Sequence, residues 1–238
     1  LELLPLPPPA DLDNKMAVSG EICTQNPEDL IFPLRVLFLV DCSESMAIND
    51  PPDPITGETG RERAVRETVT RIFDGSSGGD VKVSIVRFSA QAQPLTAVMS
   101  PGGEFESYFT GNIGQVNAIL PTLSVTDRTS NYIRALNEAY AEIRYELMNA
   151  EQESLALSTY QVIMISDGIP DIEDNENQTE AIYEGVDAIM ELGHMYHVSN
   201  MNVSTALISS GSPVVDAVAE TLLEEMSDRG NGTFRSFN

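Results

Sequence analysis

Two apolar runs of strand length constrain this chain more than any other feature, because each gives way to an aspartate. Val36-Leu37-Phe38-Leu39-Val40 stops at Asp41, and Tyr160-Gln161-Val162-Ile163-Met164-Ile165 leads through Ser166 to Asp167. An uninterrupted run is apolar on both faces, which suits the centre of a parallel sheet covered by helices. Around these runs apolar residues recur at helical spacing. They are Ala64, Val65, Val69, Ile72 and Phe73 over 61–73, then Ile133, Leu136, Tyr140, Ile143 and Leu147. Further on come Ile182, Val186, Ile189 and Met190, and then Val214, Val215, Val218, Leu222 and Met226. Residues 203–208 and 233–237 read as strands, the latter after the turn signal Gly230-Asn231-Gly232. Alternating strands and helices predict an α/β fold, with a doubly wound, mostly parallel sheet and helices on both faces. The link between the strands over 81–89 and 95–99 is short enough for a hairpin, which adds one antiparallel edge strand. Residues 112–120 read as a short helix ended by Pro121, and Ser130 or Asn131 caps the long helix that follows.

Of 238 residues, 37 are acidic and 13 basic, a net charge of −24, while 42% are hydrophobic. The apolar share excludes disorder of the whole chain, and the length is ample for a core without disulfides. The acidity reads mainly as a solvated surface. It excludes nucleic acid and anionic membrane as partners, since phosphate affinity comes from clustered Lys and Arg. Lysine occurs only at Lys15 and Lys82. No run approaches the roughly 18 apolar residues of a membrane span, so direct insertion is not expected. Residues 1–33, with six prolines, read as a leader or linker ahead of a domain over 34–238. Cys23 and Cys42 permit one disulfide without demanding it.

Chemistry concentrates after the first strand, where 41–46 reads Asp-Cys-Ser-Glu-Ser-Met. Alone, this pattern is also what a helix-capping loop uses. Two later segments change its weight: Thr-Ser-Asn-Tyr-Ile-Arg-Ala-Leu over 129–136 opens a helix, and Ile-Ser-Asp-Gly over 165–168 closes a strand. In this order the three segments closely resemble a von Willebrand factor A domain, the fold of integrin inserted domains, with its metal-ion-dependent adhesion site. The resemblance covers roughly 33–238. It implies that Asp41, Ser43, Ser45, Ser130 and Asp167 hold Mg²⁺, or Mn²⁺ or Ca²⁺, with Gly168 as the turn residue. The middle ligand of the family is normally a threonine before Asn or Asp. Ser130 stands in that place and Thr129 is the alternative, while Glu44 occupies a position that is usually glycine. Neutral hydroxyls suit a hard cation and leave much of its charge uncompensated. The resemblance therefore implies an open position that takes a Glu or Asp from a protein partner. Salt screens distant charges over about 8 Å, so contact attraction outweighs the net repulsion.

The implied role is cation-dependent adhesion or protein binding without catalysis, the alternative being a structural domain whose cation only rigidifies loops. In the family the switch involves a last helix, which would follow residue 238 here. The Pro- and Asp-rich insertion over 49–60 and the Cys-containing leader look like bacterial envelope or lipoprotein members, an extracytoplasmic setting in which Cys23 and Cys42 could pair. Asp50 and Asp53 read either as a second cation site or, more simply, as turn formers. The enzymatic rival is a haloacid-dehalogenase-like phosphohydrolase, imitated by Asp41 and the pair Asp167 and Asp171. That chemistry requires a second aspartate where Ser43 stands, and a lysine for which only Lys82 is available. Cys42 with His194 and His197 suggests a thiol nucleophile or a metal pair, but the histidines fall at a helix end. Ser45 lacks a Gly-x-Ser-x-Gly elbow.

Overall fold

The apolar runs pair into a six-stranded sheet in the computed structural model, which describes residues 32–75, 79–127, 129–168, 170 and 177–237. The chain runs β1 (Leu34–Asp41), α1 (Met46–Asn49), α2 (Gly60–Gly75), β2 (Val81–Phe88), β3 (Ala92–Pro94), β4 (Val98–Met99) and β5 (Phe105–Ser107). It continues through α3 (Ile113–Ile119), α4 (Tyr132–Asn149), α5 (Gln152–Leu155), β6 (Thr159–Ser166) and α6 (Asn177–Met195). β7 (Asn200–Ile208), α7 (Pro213–Arg229) and β8 (Asn231–Phe237) complete it. The sheet order is β3-β2-β1-β6-β7-β8, and every pairing but β2–β3 is parallel. The chain moves outward from β1 on one side and from β6 on the other. The carboxyl ends of these two central strands are therefore the switch point where open α/β sheets bind ligands.

Alternation along β1 divides the core. Leu37 and Leu39 pack with α4, α6 and α7, whereas Val36, Phe38 and Val40 pack with α2 and α3. Helices thus cover both faces, and Ile31–Asn238 packs as one unit. The segment before residue 32, with Lys15 and Cys23, lies outside the described residues, as does Asp171.

Four local expectations are corrected. The antiparallel edge strand is Ala92–Pro94 rather than 95–99. Leu95 N still donates to Ile85 O at 2.8 Å, but Ile85 N donates to the Thr96 hydroxyl at 3.0 Å, which ends the ladder. Val98–Met99 instead pairs with β5. Pro121 does not end the helical segment but sits in the first turn of a 3₁₀ helix, Leu120–Ser124, where no N–H is required. Residues 231 and 232 already belong to β8, and a Cβ on Gly232 would meet Val203 O at 2.0 Å, so only glycine passes there. Finally, α7 buries Ala219, Leu222, Leu223 and Met226, while Val214, Val215 and Val218 in its first turns face solvent.

One carboxyl is enclosed far from the switch point. Glu142 of α4 is fully buried; its Oε2 accepts from Ser84 Oγ at 2.6 Å, while Oε1 has no hydrogen-bond partner. Burial pushes this carboxyl up to about 8, opposed by the Ser84 hydrogen bond and reinforced by Glu138. Above pH 4.5 the unfolded chain has released this proton while the fold retains it. Stability therefore falls by about 1.4 kcal/mol per pH unit until the folded carboxyl ionises near pH 8. Glu142→Gln is expected to remove this decline in denaturation midpoints followed across that range. A slope equal to that of the parent chain would mean that the carboxyl is charged in the fold.

Candidate functional site

At the switch point one buried carboxylate ties together three loops remote in sequence. Asp41 ends β1 with no exposed surface. Its Oδ1 accepts from Ser43 N at 2.8 Å, and its Oδ2 accepts from Ser130 Oγ at 2.8 Å and Ser166 Oγ at 2.6 Å. Backbone bonds fix the same loops: Cys42 N donates to Phe88 O, Asp127 N to Cys42 O, and Asn131 N to Ser89 O.

Above Asp41 lies a second layer of oxygens. Ser43 Oγ and Ser45 Oγ are 3.0 Å apart, and Ser45 Oγ donates to Asp167 Oδ1 at 2.9 Å. Asn49 Nδ2 donates to Asp167 Oδ2 at 2.8 Å. Ser45 holds the N-cap position of α1 but makes no side-chain capping bond, so capping does not account for the serine pattern. Asn131 caps α4, its Oδ1 accepting from Arg134 N at 3.0 Å. Ser130 therefore serves the site rather than the cap. Ser43, Ser45, Ser130 and Asp167 line one cavity of about 440 Å³, also bordered by Glu44; Thr129 does not line it. All five side chains singled out in the sequence thus converge, four on the cavity and Asp41 beneath it.

Both carboxyls are electrostatically uncomfortable. Burial pushes Asp167 up to about 6, Asp41 adds to the rise, and hydrogen bonds from Asn49 and Ser45 oppose it. Burial also raises Asp41, opposed by hydrogen bonds from Ser166, Ser43 and Ser130. A cation beside them would favour the ionised form of each. The donors are hydroxyl and carboxylate oxygens, the hard set that Mg²⁺, Mn²⁺ and Ca²⁺ accept. Adjacent oxygens around octahedral Mg²⁺ stand about 3 Å apart. The Ser43–Ser45 and Ser45–Asp167 separations already have that length, so the oxygens present fit the ion. Among the described residues no three His, Cys, Asp or Glu side chains gather, so a cation here depends on serine.

Three contributors were not foreseen. Ser166 lies beside Asp167 in the quoted segment, and Asn49 stands in what reads as an insertion. The Tyr132 hydroxyl lies 2.6 Å from both Ser166 Oγ and Gly168 O, locking the end of β6. The other candidates are structural. Asp50 accepts from Gly60 N, Arg61 N and Arg61 Nη1, and Asp53 Oδ1 accepts from Ile55 N and Thr56 N. Cys42 is a free, buried thiol pushed by burial up to about 11, which disfavours the thiolate form. His194 and His197 are exposed at the end of α6.

No protein-family model matches the chain, and neither does any curated protein sequence. Solved structures do match the fold. The PilB minor pilin from Streptococcus sanguinis is 15% identical with a TM-score of 0.54, over 89% of this chain and 59% of the pilin. The conserved hypothetical protein BatB from Bacteroides thetaiotaomicron is 17% identical with a TM-score of 0.53, over 86% of this chain and 90% of BatB. The pilus adhesin SpaC from Lactobacillus rhamnosus GG, in an open conformation, is 14% identical with a TM-score of 0.56. That match covers 87% of this chain and 28% of the adhesin. This chain thus spans under two thirds of the pilin and of the adhesin.

The loop carrying Ser45 and Asn49 is anchored from below by Arg61, which is 1% exposed. Its Nε donates to Leu123 O at 2.9 Å and its Nη1 to Asp50 Oδ2 at 2.9 Å. Arg61→Ala is expected to lower stability by about 3–5 kcal/mol, because Asp50 is left buried without its counter-ion. Chemical denaturation measures this, and a loss near zero would show that Asp50 finds another partner.

Proposed function

We propose that this chain is a von Willebrand factor A-type module that binds a protein partner through a divalent cation held by Asp41, Ser43, Ser45, Ser130 and Asp167. The observation that carries this reading is the convergence of hydroxyls from two remote loops and an aspartate from a third on one cavity at the switch point. When bound, Mg²⁺, Mn²⁺ or Ca²⁺ would supply a positive centre for a partner's Asp or Glu. The chain's own residues do the rest. Asp41 orients Ser130 and the Ser43 loop from beneath, Asn49 orients Asp167, and Tyr132 holds Ser166 in place.

Adhesion or protein binding at a cell surface or envelope is the coarse role suggested by the minor pilin and the pilus adhesin among the structural neighbours. Among the described residues no helix is long and apolar enough to cross a membrane. A non-catalytic role is supported by the state of Asp41, whose two oxygens accept three hydrogen bonds out of reach of solvent. Lys82 cannot assist it: it pairs with Arg35 near the start of β1, six residues from Asp41, or about 20 Å along the strand.

Calorimetric titration with Mg²⁺ tests the site. The parent chain is expected to bind and to melt at a higher temperature with Mg²⁺. Ser43→Ala and Asp167→Ala are expected to abolish both effects. Ser166→Ala, which removes only an orienting partner, is expected to weaken binding roughly 10- to 100-fold. Equal binding by all variants would place the cation elsewhere, and no binding by the parent chain would end the proposal.

A further inference from the structure

The cavity at the switch point is not walled by polar groups alone. Ile48 of α1 and Val215 of α7 line it beside the serines and Asp167. Ile48 is 77% exposed, and on α7 Val214 is 78%, Val215 38% and Val218 51% exposed. Single exposed aliphatics are ordinary, but here two branched side chains, Ile48 and Val215, line one mouth, and Val214 and Val218 are exposed on the same helix as Val215. Val218 lies one helical turn from both Val214 and Val215.

The rim is held rigidly. Asp216 accepts from Ser209 Oγ at 2.7 Å, Ser210 N at 2.8 Å and Ser210 Oγ at 2.6 Å, which clamps the β7–α7 loop to the first turn of α7. Deeper in the same helix Leu222, Leu223 and Met226 anchor it in the core. The valines are therefore presented to solvent in a fixed arrangement, which lowers the ordering cost of binding.

Charge narrows the occupant. Among the described residues the charged side chains lining the cavity are Glu44 and Asp167, with no Lys or Arg. A bound cation attracts any carboxylate, so it cannot by itself tell one acidic segment from another. Discrimination must come from what surrounds the metal contact.

From this geometry we infer that the Ile48–Val215 rim selects protein segments in which the Asp or Glu is flanked by a branched aliphatic or aromatic side chain. The inference rests on the cation-bridged reading above and adds the specificity element. The acid meets the cation, and the neighbouring apolar group covers Ile48 and Val215. Burying one such side chain is worth roughly a tenfold change in affinity.

A random dodecapeptide library displayed on phage, selected on the full chain in millimolar Mg²⁺, tests this. Enriched peptides are then measured by fluorescence polarisation against the parent chain, Ile48→Ser/Val215→Ser and Ser43→Ala, with and without chelator. A Mg²⁺-dependent rise in melting temperature of the double variant equal to that of the parent shows that its fold and cation site are intact. The expected result is enrichment of an acid beside an apolar residue, with roughly tenfold or greater weakening in the double variant and loss of binding in Ser43→Ala or chelator. Cation-dependent acidic peptides without an apolar neighbour, or with unchanged affinity for the double variant, overturn the rim and leave the cation site standing. Basic peptides, binding that persists in chelator, or no enrichment in Mg²⁺ overturn both.

Discussion

The buried carboxylate of Asp41 is the interaction on which the upper end of this molecule depends. It lies at the end of the central strand and accepts hydrogen bonds from Ser43, Ser130 and Ser166, the latter two 89 and 125 residues away in sequence. A polar group sheltered from water is costly unless it is hydrogen-bonded, and here three donors bond to the two oxygens. Each donor belongs to a different segment, Ser166 to the end of β6, so satisfying one carboxyl fixes the relative positions of all three. Ser43, Ser45, Ser130 and Asp167 can face one cavity because that lower layer is already organised.

The same arrangement explains why the site is electrostatically tense. Asp41 and Asp167 both sit above the ordinary carboxylate range because of burial, and each is relieved only by hydrogen bonds from neutral groups. Among the described residues no Lys or Arg lines the mouth. The chain does use arginine inside the fold, but elsewhere: Arg61 is spent on Asp50, and Arg35 on Asp80 and Glu146. Asp41 and Asp167, like the buried Glu142, are held by hydrogen bonds from uncharged donors, and a cation beside the two aspartates would favour the ionised form of each.

Much of this was legible before folding. The apolar runs of β1 and β6 and the helical spacing of α2, α4 and α6 named the α/β sheet, and the aspartates ending two strands marked its switch point. Legibility failed where one side chain could serve two purposes. Ser130 and Asn131 are equally good caps on paper, and only the placement of Asp41 decides that Ser130 turns inward. Asn49 belongs to a stretch rich in turn formers, and nothing local pairs it with Asp167. The first turns of α7 carry valines at helical spacing and so read as core, although Val214, Val215 and Val218 are exposed.

By itself, then, the amino-acid order determined the period of each segment, the alternation of strands and helices, and the candidate oxygens Asp41, Ser43, Ser45, Ser130 and Asp167. The first two follow from local rules, since apolar periodicity selects the element and parallel connection selects the end of the sheet at which its loops gather, whereas the oxygens are what the resemblance of three ordered segments to a known family implies. The tertiary structure alone decided which hydroxyls meet which carboxylates, that Arg61 is buried against Asp50, and that Ile48 and Val215 border the mouth. Periodicity records which face of a segment is apolar, but whether that face has a neighbour, and which remote donor fills a lone pair, depends on where the other segments pack.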